Sequence, residues 1–262
     1  MILRLGVGTD RVDIVAAEKR NITVHNVPDY GSSVVAFHAL QMAGSLMRNL
    51  TGYDHTLRGS GPMAWDPTDT LVSRAPWDLT LGIVGFGRIG SELGRMAAAA
   101  LFKVVFYDPY LEPEYQPIKG VRRVQTLEEL LRQSDVLSLN VPDTEETRGM
   151  IGPLQLFAKG RQGGRGSALD LDAVMEGIKC GQLGGVGLDV LADEPPREKD
   201  LPALVRAYRN NEEWTRGTVI ITPHSASHAI QNIHQIGHHG NQGTQRGFRE
   251  CCSPVVIEFA VH

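Results

Sequence analysis

The glycine pattern Gly85-Phe-Gly-Arg-Ile-Gly90 constrains this chain more than any other feature. It stands between an apolar run over residues 79–84 and an Ala-rich stretch with helical spacing over residues 89–101. Strand, glycine turn and helix in that order make a phosphate cradle. Gly85 permits the tight turn, Gly87 lets backbone approach a pyrophosphate, and Gly90 lets the helix pack closely. The helix N-terminus adds free N–H groups and partial positive charge. A second apolar run over residues 103–107 follows and ends on Asp108, eighteen residues past Gly90. A carboxylate there accepts hydrogen bonds from ribose hydroxyls and repels a 2′-phosphate, which selects NAD over NADP. Residues 81–108 therefore read as a dinucleotide-binding strand–turn–helix–strand unit.

The rest of the chain extends the same alternation. Strands are expected over residues 135–139, 184–190 and 218–222, and helices over residues 127–133 and 170–181. Short strands alternating with helices imply βαβ units and a mostly parallel sheet covered on both faces, an α/β doubly wound (Rossmann) fold. Upstream, residues 2–7 and 22–27 read as strands and residues 12–20 as a helix. A longer helix over residues 34–50 repeats Val35, Leu40, Ala43, Leu46 and Met47 at helical spacing. Residues 51–76, with several Gly and Pro, read as a connecting excursion. One place breaks the pattern. Where a buried strand should precede Arg165, the chain has Lys-Gly-Arg-Gln-Gly-Gly over residues 159–164. Two charges and three glycines predict no apolar interior strand there, which would leave its neighbours unpaired.

Composition narrows the partners. A net charge of −4 gives no electrostatic footprint for nucleic acid or an acidic membrane. Three cysteines without a CxxC make no disulfide framework and fit a reducing compartment. No long apolar core follows Met1, and no run approaches the ~18 apolar residues of a membrane span, so a cytoplasmic protein is expected. His234 and His238 are spaced to share one helix face, but no nearby Cys or carboxylate completes a ligand set. No metal site is expected.

Three further residues have complementary chemistry. Arg165, Glu194 and His224 each lie just past or between apolar runs, where loops leave the carboxyl ends of parallel strands. A guanidinium grips a carboxylate through two parallel hydrogen bonds. A histidine exchanges a hydroxyl proton, and a carboxylate beside it holds its tautomer.

With these residues in place the chain resembles the D-2-hydroxyacid dehydrogenase family, especially its phosphoglycerate-dehydrogenase-like and carboxy-terminal-binding-protein-like branch. The resemblance is carried by Gly6-Val-Gly-Thr-Asp-Arg-Val-Asp13, Asn26-Val-Pro28, the glycine loop and Tyr107-Asp-Pro-Tyr110. It continues through Ser134-Asp-Val, Thr144–Thr147, Arg165–Asp170, Gly187-Leu-Asp-Val190, Glu194-Pro195 and Thr222-Pro-His224. It implies that Arg165 binds the substrate carboxylate, His224 is the acid/base, and Glu194 is its partner. Gly85, Gly87, Arg88, Ile89 and Gly90 would meet the pyrophosphate of NAD, and Asp108 the ribose. Pro142 and Thr147 would line the adenosine side, and Asp189 would bind the nicotinamide carboxamide. Backbone N–H groups at Val7 and Gly8 would meet the substrate carboxylate.

The resemblance also implies an organisation. Residues 1–28 would be the remnant of a flavodoxin-like substrate domain whose preceding βα units are absent. Residues 29–226 would be the NAD-binding domain, and residues 227–262 a divergent, surface-exposed C-terminal segment. The helix over residues 34–50 would contribute to a homodimer interface. The expected function is NAD-dependent hydride transfer to or from a small 2-hydroxy or 2-oxo acid, with catalytic geometry impaired by the missing lobe and strand. A non-catalytic NAD-sensing interaction protein and a truncated inactive fragment are the alternatives.

Overall fold

The computed structural model describes residues 1–4, 12–26, 31–59, 74–112, 114–115, 118–153, 161–163 and 168–229. Two compact units are distinguished, one comprising Met1–Gly31 with the residues from His228 on, the other Ser32–Ser227. In the first, Ile2–Arg4 (β1) pairs in parallel with Val24–Asn26 (β2). Helix Ile14–Glu18 (α1) lies between them in sequence, its N-cap Asp13 accepting from the Ala16 N–H at 2.8 Å. Val7 and Gly8 lie outside the described residues.

The second unit opens with helices Ser32–Met47 (α2) and Leu50–Gly59 (α3). There follow Thr80–Val84 (β3), Arg88–Ala99 (α4), Lys103–Tyr107 (β4), Val121–Arg123 (β5), Leu127–Gln133 (α5) and Val136–Leu139 (β6). Arg161–Gly163 (β7), Leu171–Lys179 (α6), Val186–Leu188 (β8), Ala203–Arg209 (α7) and Val219–Ile221 (β9) complete it. The seven strands form one sheet in the order β5-β4-β3-β6-β7-β8-β9. Every pairing is parallel, with Leu81 opposite Val104 on one side and Val136 on the other. This is the doubly wound α/β sheet the alternation predicts.

Both faces of the sheet are buried, which explains why its strands read as continuous apolar runs. Leu81, Ile83, Val104 and Phe106 point to one core with Ala36 and Met47 of α2 and Leu93 and Ala97 of α4. Val84, Val105, Leu137, Leu139, Val186 and Leu188 point to the other, with Leu130 of α5, Val174 of α6 and Leu204 of α7. The Phe86 and Phe106 rings stack with centroids 3.8 Å apart.

The chain runs outward through β3, β4 and β5, then returns to β6 on the other side of β3. The strand order therefore reverses between β3 and β6, and ligands bind outside the carboxyl ends of strands at such a point.

Two expectations are corrected. Arg161–Gly163 is a strand, paired with β6 through Val136–Arg161 and Ser138–Gly163, and with β8 through Gln162–Val186. A parallel ladder is made of backbone N–H and C=O groups, which Arg, Gln and Gly supply as well as Val does. Unsuitable side chains weaken such a strand but do not remove its place between two partners. Next, the stretch read as a connecting excursion contains most of α3. Asn49, at φ +51°, ends the first helix, and α3 starts at Leu50. Asn tolerates the left-handed region better than most residues. An Asp54–Arg58 ion pair at 2.8 Å supports α3 at the i, i+4 spacing. In addition, β5 and α7, three and seven residues long, are elements that the sequence reading did not place.

Candidate active site

The glycine loop sits at the reversal point. Gly85 has φ +80°, and a Cβ there would lie 2.6 Å from the Asn140 carbonyl oxygen just past β6. A Cβ on Gly90 would meet the Gly85 carbonyl oxygen at 2.0 Å, so only glycine lets α4 begin so close under the loop. Gly87 is the N-cap of α4; it makes no side-chain cap, and nothing stands within 4 Å of where its Cβ would be. The first-turn positions Arg88 and Ile89 are exposed and half-buried respectively. An uncapped helix N-terminus beside open space is the cradle that a pyrophosphate requires.

Asp108 leaves the end of β4 beside this loop. Its Oδ2 accepts from the Phe86 N–H at 2.8 Å and its Oδ1 from the Tyr110 N–H at 3.0 Å. A carboxylate oxygen takes about two donors, so each keeps an acceptor site for a ribose hydroxyl. Arg123 of β5 donates to the Asp108 carbonyl at 2.9 Å and also to that of Glu112, fastening the loop.

Across the crevice, Thr147 Oγ1 donates to the Pro142 carbonyl at 2.6 Å and accepts from the Thr144 N–H at 2.9 Å. The Tyr110 hydroxyl donates to Glu146, joining the loop after β4 to the loop after β6. The hydrogen bond to this carboxylate pushes the Tyr110 phenol above its ordinary range. The residues present thus fit a dinucleotide at both its phosphate and ribose ends.

The other end of the same sheet edge carries the titratable pair. His224 Nδ1 lies 2.5 Å from Glu194 Oε2. A carboxylate only accepts, so Nδ1 carries the hydrogen and Nε2 is left for exchange with a ligand. Glu194 is oriented in turn by the Leu191 N–H, which donates to Oε1 at 2.8 Å. The His224 side chain is 60% exposed while that of Glu194 is 20% exposed. The imidazole therefore faces open space over a largely covered base.

His224 itself has φ +51°. Its N–H is held by the Asp189 carbonyl at 2.8 Å and the Thr222 carbonyl at 3.0 Å, which helps hold a conformation that costs an ordinary residue ~1–3 kcal/mol. Asp189 organises this turn. Its Oδ1 accepts from Thr222 Oγ1 at 2.5 Å and from the Ser225 N–H at 2.9 Å, and its Oδ2 accepts from the Ala226 N–H at 3.0 Å. Arg165 lies outside the described residues, two positions past β7.

Sequence reasoning missed His38 of α2, whose Nε2 is 3.1 Å from Thr222 Oγ1. Its signal was the stripe His38, Met42, Leu46, which reads as ordinary core spacing apart from its first, polar member. It also missed Tyr110 and Glu146 as a pair, since nothing in sequence links positions on separate loops. Among the described residues no group of three or more metal-ligating side chains could hold a metal ion, and no helix is long and apolar enough to cross a membrane. His234 and His238 lie outside the described residues.

A family model described as D-isomer specific 2-hydroxyacid dehydrogenase, NAD binding domain, matches residues 40–226. A putative 2-hydroxyacid dehydrogenase of Haemophilus influenzae is 34% identical over 232 residues, covering 84% of this chain and 68% of that one. A D-3-phosphoglycerate dehydrogenase of Bacillus subtilis is 34% identical over 204 residues, covering 76% of this chain and 38% of its own. Among solved structures, a D-lactate dehydrogenase from Aquifex aeolicus complexed with NAD and lactic acid superimposes with a TM-score of 0.78 at 30% identity. The match covers 91% of this chain and 73% of that one. An NAD-complexed D-isomer specific 2-hydroxyacid dehydrogenase from Lactobacillus delbrueckii ssp. bulgaricus gives a TM-score of 0.75 at 26% identity, over 90% of this chain and 72% of that one. The chain spans 38% to 68% of the length of these two curated relatives.

Proposed function

Because the chain belongs to the D-isomer specific 2-hydroxyacid dehydrogenase family, we propose that it transfers a hydride between NAD(H) and a small 2-hydroxy or 2-oxo acid. The observation that carries this reading is the 2.5 Å hydrogen bond between His224 and Glu194 on the sheet edge that also holds the glycine loop. The cofactor, when bound, would supply or accept the hydride at the carbonyl carbon of the 2-oxo acid.

The chain's own residues handle the proton and the orientation. In reduction, His224 Nε2–H gives its proton to the carbonyl oxygen as that oxygen becomes a hydroxyl. Glu194 keeps the opposite nitrogen protonated and stabilises the charged imidazolium before transfer. Arg165 is the residue assigned to the substrate carboxylate, which a guanidinium grips through paired hydrogen bonds. Gly85, Gly87, Arg88, Ile89 and Gly90 hold the pyrophosphate, Asp108 the ribose, Pro142 and Thr147 the adenosine side, and Asp189 the nicotinamide carboxamide.

Two further assignments belong to this reading. The protein pairs with a second copy of itself, a reading supported by the exposed Phe37, Leu50 and Leu57 on α2 and α3. Its compartment is the cytoplasm, supported by the sparse cysteines.

Titration with NADH by fluorescence and calorimetry, followed by assays with pyruvate, glyoxylate and hydroxypyruvate, tests the proposal. Saturable binding with oxidation of NADH by at least one 2-oxo acid is expected. Absence of binding by folded protein overturns it; binding without turnover across the panel removes the enzymatic half and leaves a cofactor-sensing protein.

A further inference from the structure

Helix α2 crosses the sheet with one stripe laid along β8. Leu46 reaches Gly185, where its Cδ2 would lie 3.1 Å from an added Cβ, and Met42 reaches Gly187, where its Cβ would lie 3.3 Å from one. Four residues of helix advance about 6 Å and two residues of strand about 6.6 Å. The stripe therefore steps Leu46, Met42, His38 as the strand steps 185, 187, 189, and the imidazole arrives at Asp189. Glycine at 187 permits this close approach, since a Cβ there would sit tighter against Met42 than an ordinary van der Waals contact.

The chemistry at that end is a directed chain. Thr222 Oγ1 has one hydrogen, and at 2.5 Å from Asp189 Oδ1 it gives that hydrogen to the carboxylate. Toward His38, at 3.1 Å, it can then only accept, so His38 Nε2 carries a hydrogen and donates. The direct distance from Nε2 to Asp189 Oδ1 is 3.8 Å, too long for a hydrogen bond. His38 thus acts on the carboxylate through Thr222. With Oδ1 filled by Thr222 and the Ser225 N–H, Oδ2 takes only the Ala226 N–H among the described residues, which leaves it an acceptor site for a ligand.

We propose that His38 is a positioning residue for the nicotinamide end of the cofactor, holding Thr222 so that the Asp189 carboxylate keeps Oδ2 aimed at the carboxamide N–H. The inference rests on the reading of Asp189 as the carboxamide acceptor. It adds a residue from a different helix, acting from behind the site.

The test compares NADH with ADP-ribose, which shares every part of the cofactor except the nicotinamide. Dissociation constants for both are measured on the wild type and on His38→Ala, His38→Gln, Thr222→Val and Asp189→Ala. His38→Ala and Thr222→Val should weaken NADH by about five- to tenfold, the worth of one hydrogen bond, and leave ADP-ribose unchanged. His38→Gln, which can still donate to Thr222, should recover most of the loss. The inference fails if Asp189→Ala weakens NADH selectively while His38→Ala does not. It also fails if His38→Ala weakens both ligands equally, since that marks a merely structural role. If Asp189→Ala leaves the NADH to ADP-ribose ratio unchanged, the carboxamide assignment falls and the inference with it; wild-type protein that binds neither ligand overturns the NAD reading itself.

Discussion

Glu194 has a hydrogen-bond partner on each oxygen, Leu191 on one and His224 on the other, so it orients the imidazole without meeting a ligand. Replacing it with glutamine keeps the shape but removes the charge that stabilises the imidazolium. Glu194→Gln should lower kcat/KM by about 10²-fold, within the range for losing a tuned acid/base. NADH affinity should stay within about twofold, and steady-state kinetics beside fluorescence titration read both. Gly90 offers a test of the other end. A methyl group there meets backbone at 2.0 Å rather than a flexible side chain, so loop and helix must separate. Gly90→Ala should cost about 1–3 kcal/mol in urea unfolding, typical of overpacking, and weaken cofactor binding as well.

At the scale of elements, α5 shows a helix specified locally. Thr126 Oγ1 accepts from the Glu129 N–H, and the Glu129 carboxylate accepts from the Gln125 N–H, each at 3.1 Å. Acidic residues fill the first turn and Arg132 the last. Thr126→Ala should lower stability by about 1 kcal/mol with NADH affinity untouched. The Gln125 N–H holds the Glu129 carboxyl below its ordinary range, with Gln133 and Arg122 adding to the effect. A folded-state value below the unfolded one means that this contribution is complete above the usual glutamate range. It is lost as pH falls through the lower folded value, so Glu129→Gln should flatten the acid side of the stability curve. Strand β7 is the opposite case, specified by its neighbours. Backbone amides between two partner strands exchange through large openings. Hydrogen exchange across Arg161–Gly163 should therefore be far slower than in the exposed α3.

For the molecule as a whole, cofactor binding is a linked equilibrium that adds to folding stability. A ligand that binds only the folded state at one hundred times its dissociation constant adds about 2.7 kcal/mol. NADH at that excess should raise the unfolding free energy of the Ser32–Ser227 unit by this amount, as judged from urea transitions. The proposed self-association should depend on the exposed apolar residues Phe37, Leu50 and Leu57 of α2 and α3. Phe37, half exposed in the single chain at 52%, is its most direct probe. Phe37→Glu should shift sedimentation from dimer to monomer, because burying an unpaired carboxylate opposes association.

What residues near one another in sequence decide is legible in the sequence itself. The strands of β3, β4 and β6 declare themselves by apolar runs, the cradle by Gly85 to Gly90, and α5 by its own caps, since each depends on contacts within a few positions. The pairing of Glu194 with His224 was legible as compatible chemistry and through the family resemblance, not as a contact. Its 2.5 Å contact comes from loops after separate strands brought to one sheet edge. Beyond that, the tertiary structure decided. It made a strand of Arg161–Gly163, because backbone hydrogen bonds from two neighbours outweigh poor side chains. It also carried His38 from a distant helix to Thr222, because a four-residue helical step matches a two-residue strand step. Binding of a dinucleotide is thus written in the chain locally, while the placement of its reacting end is a property of the sheet.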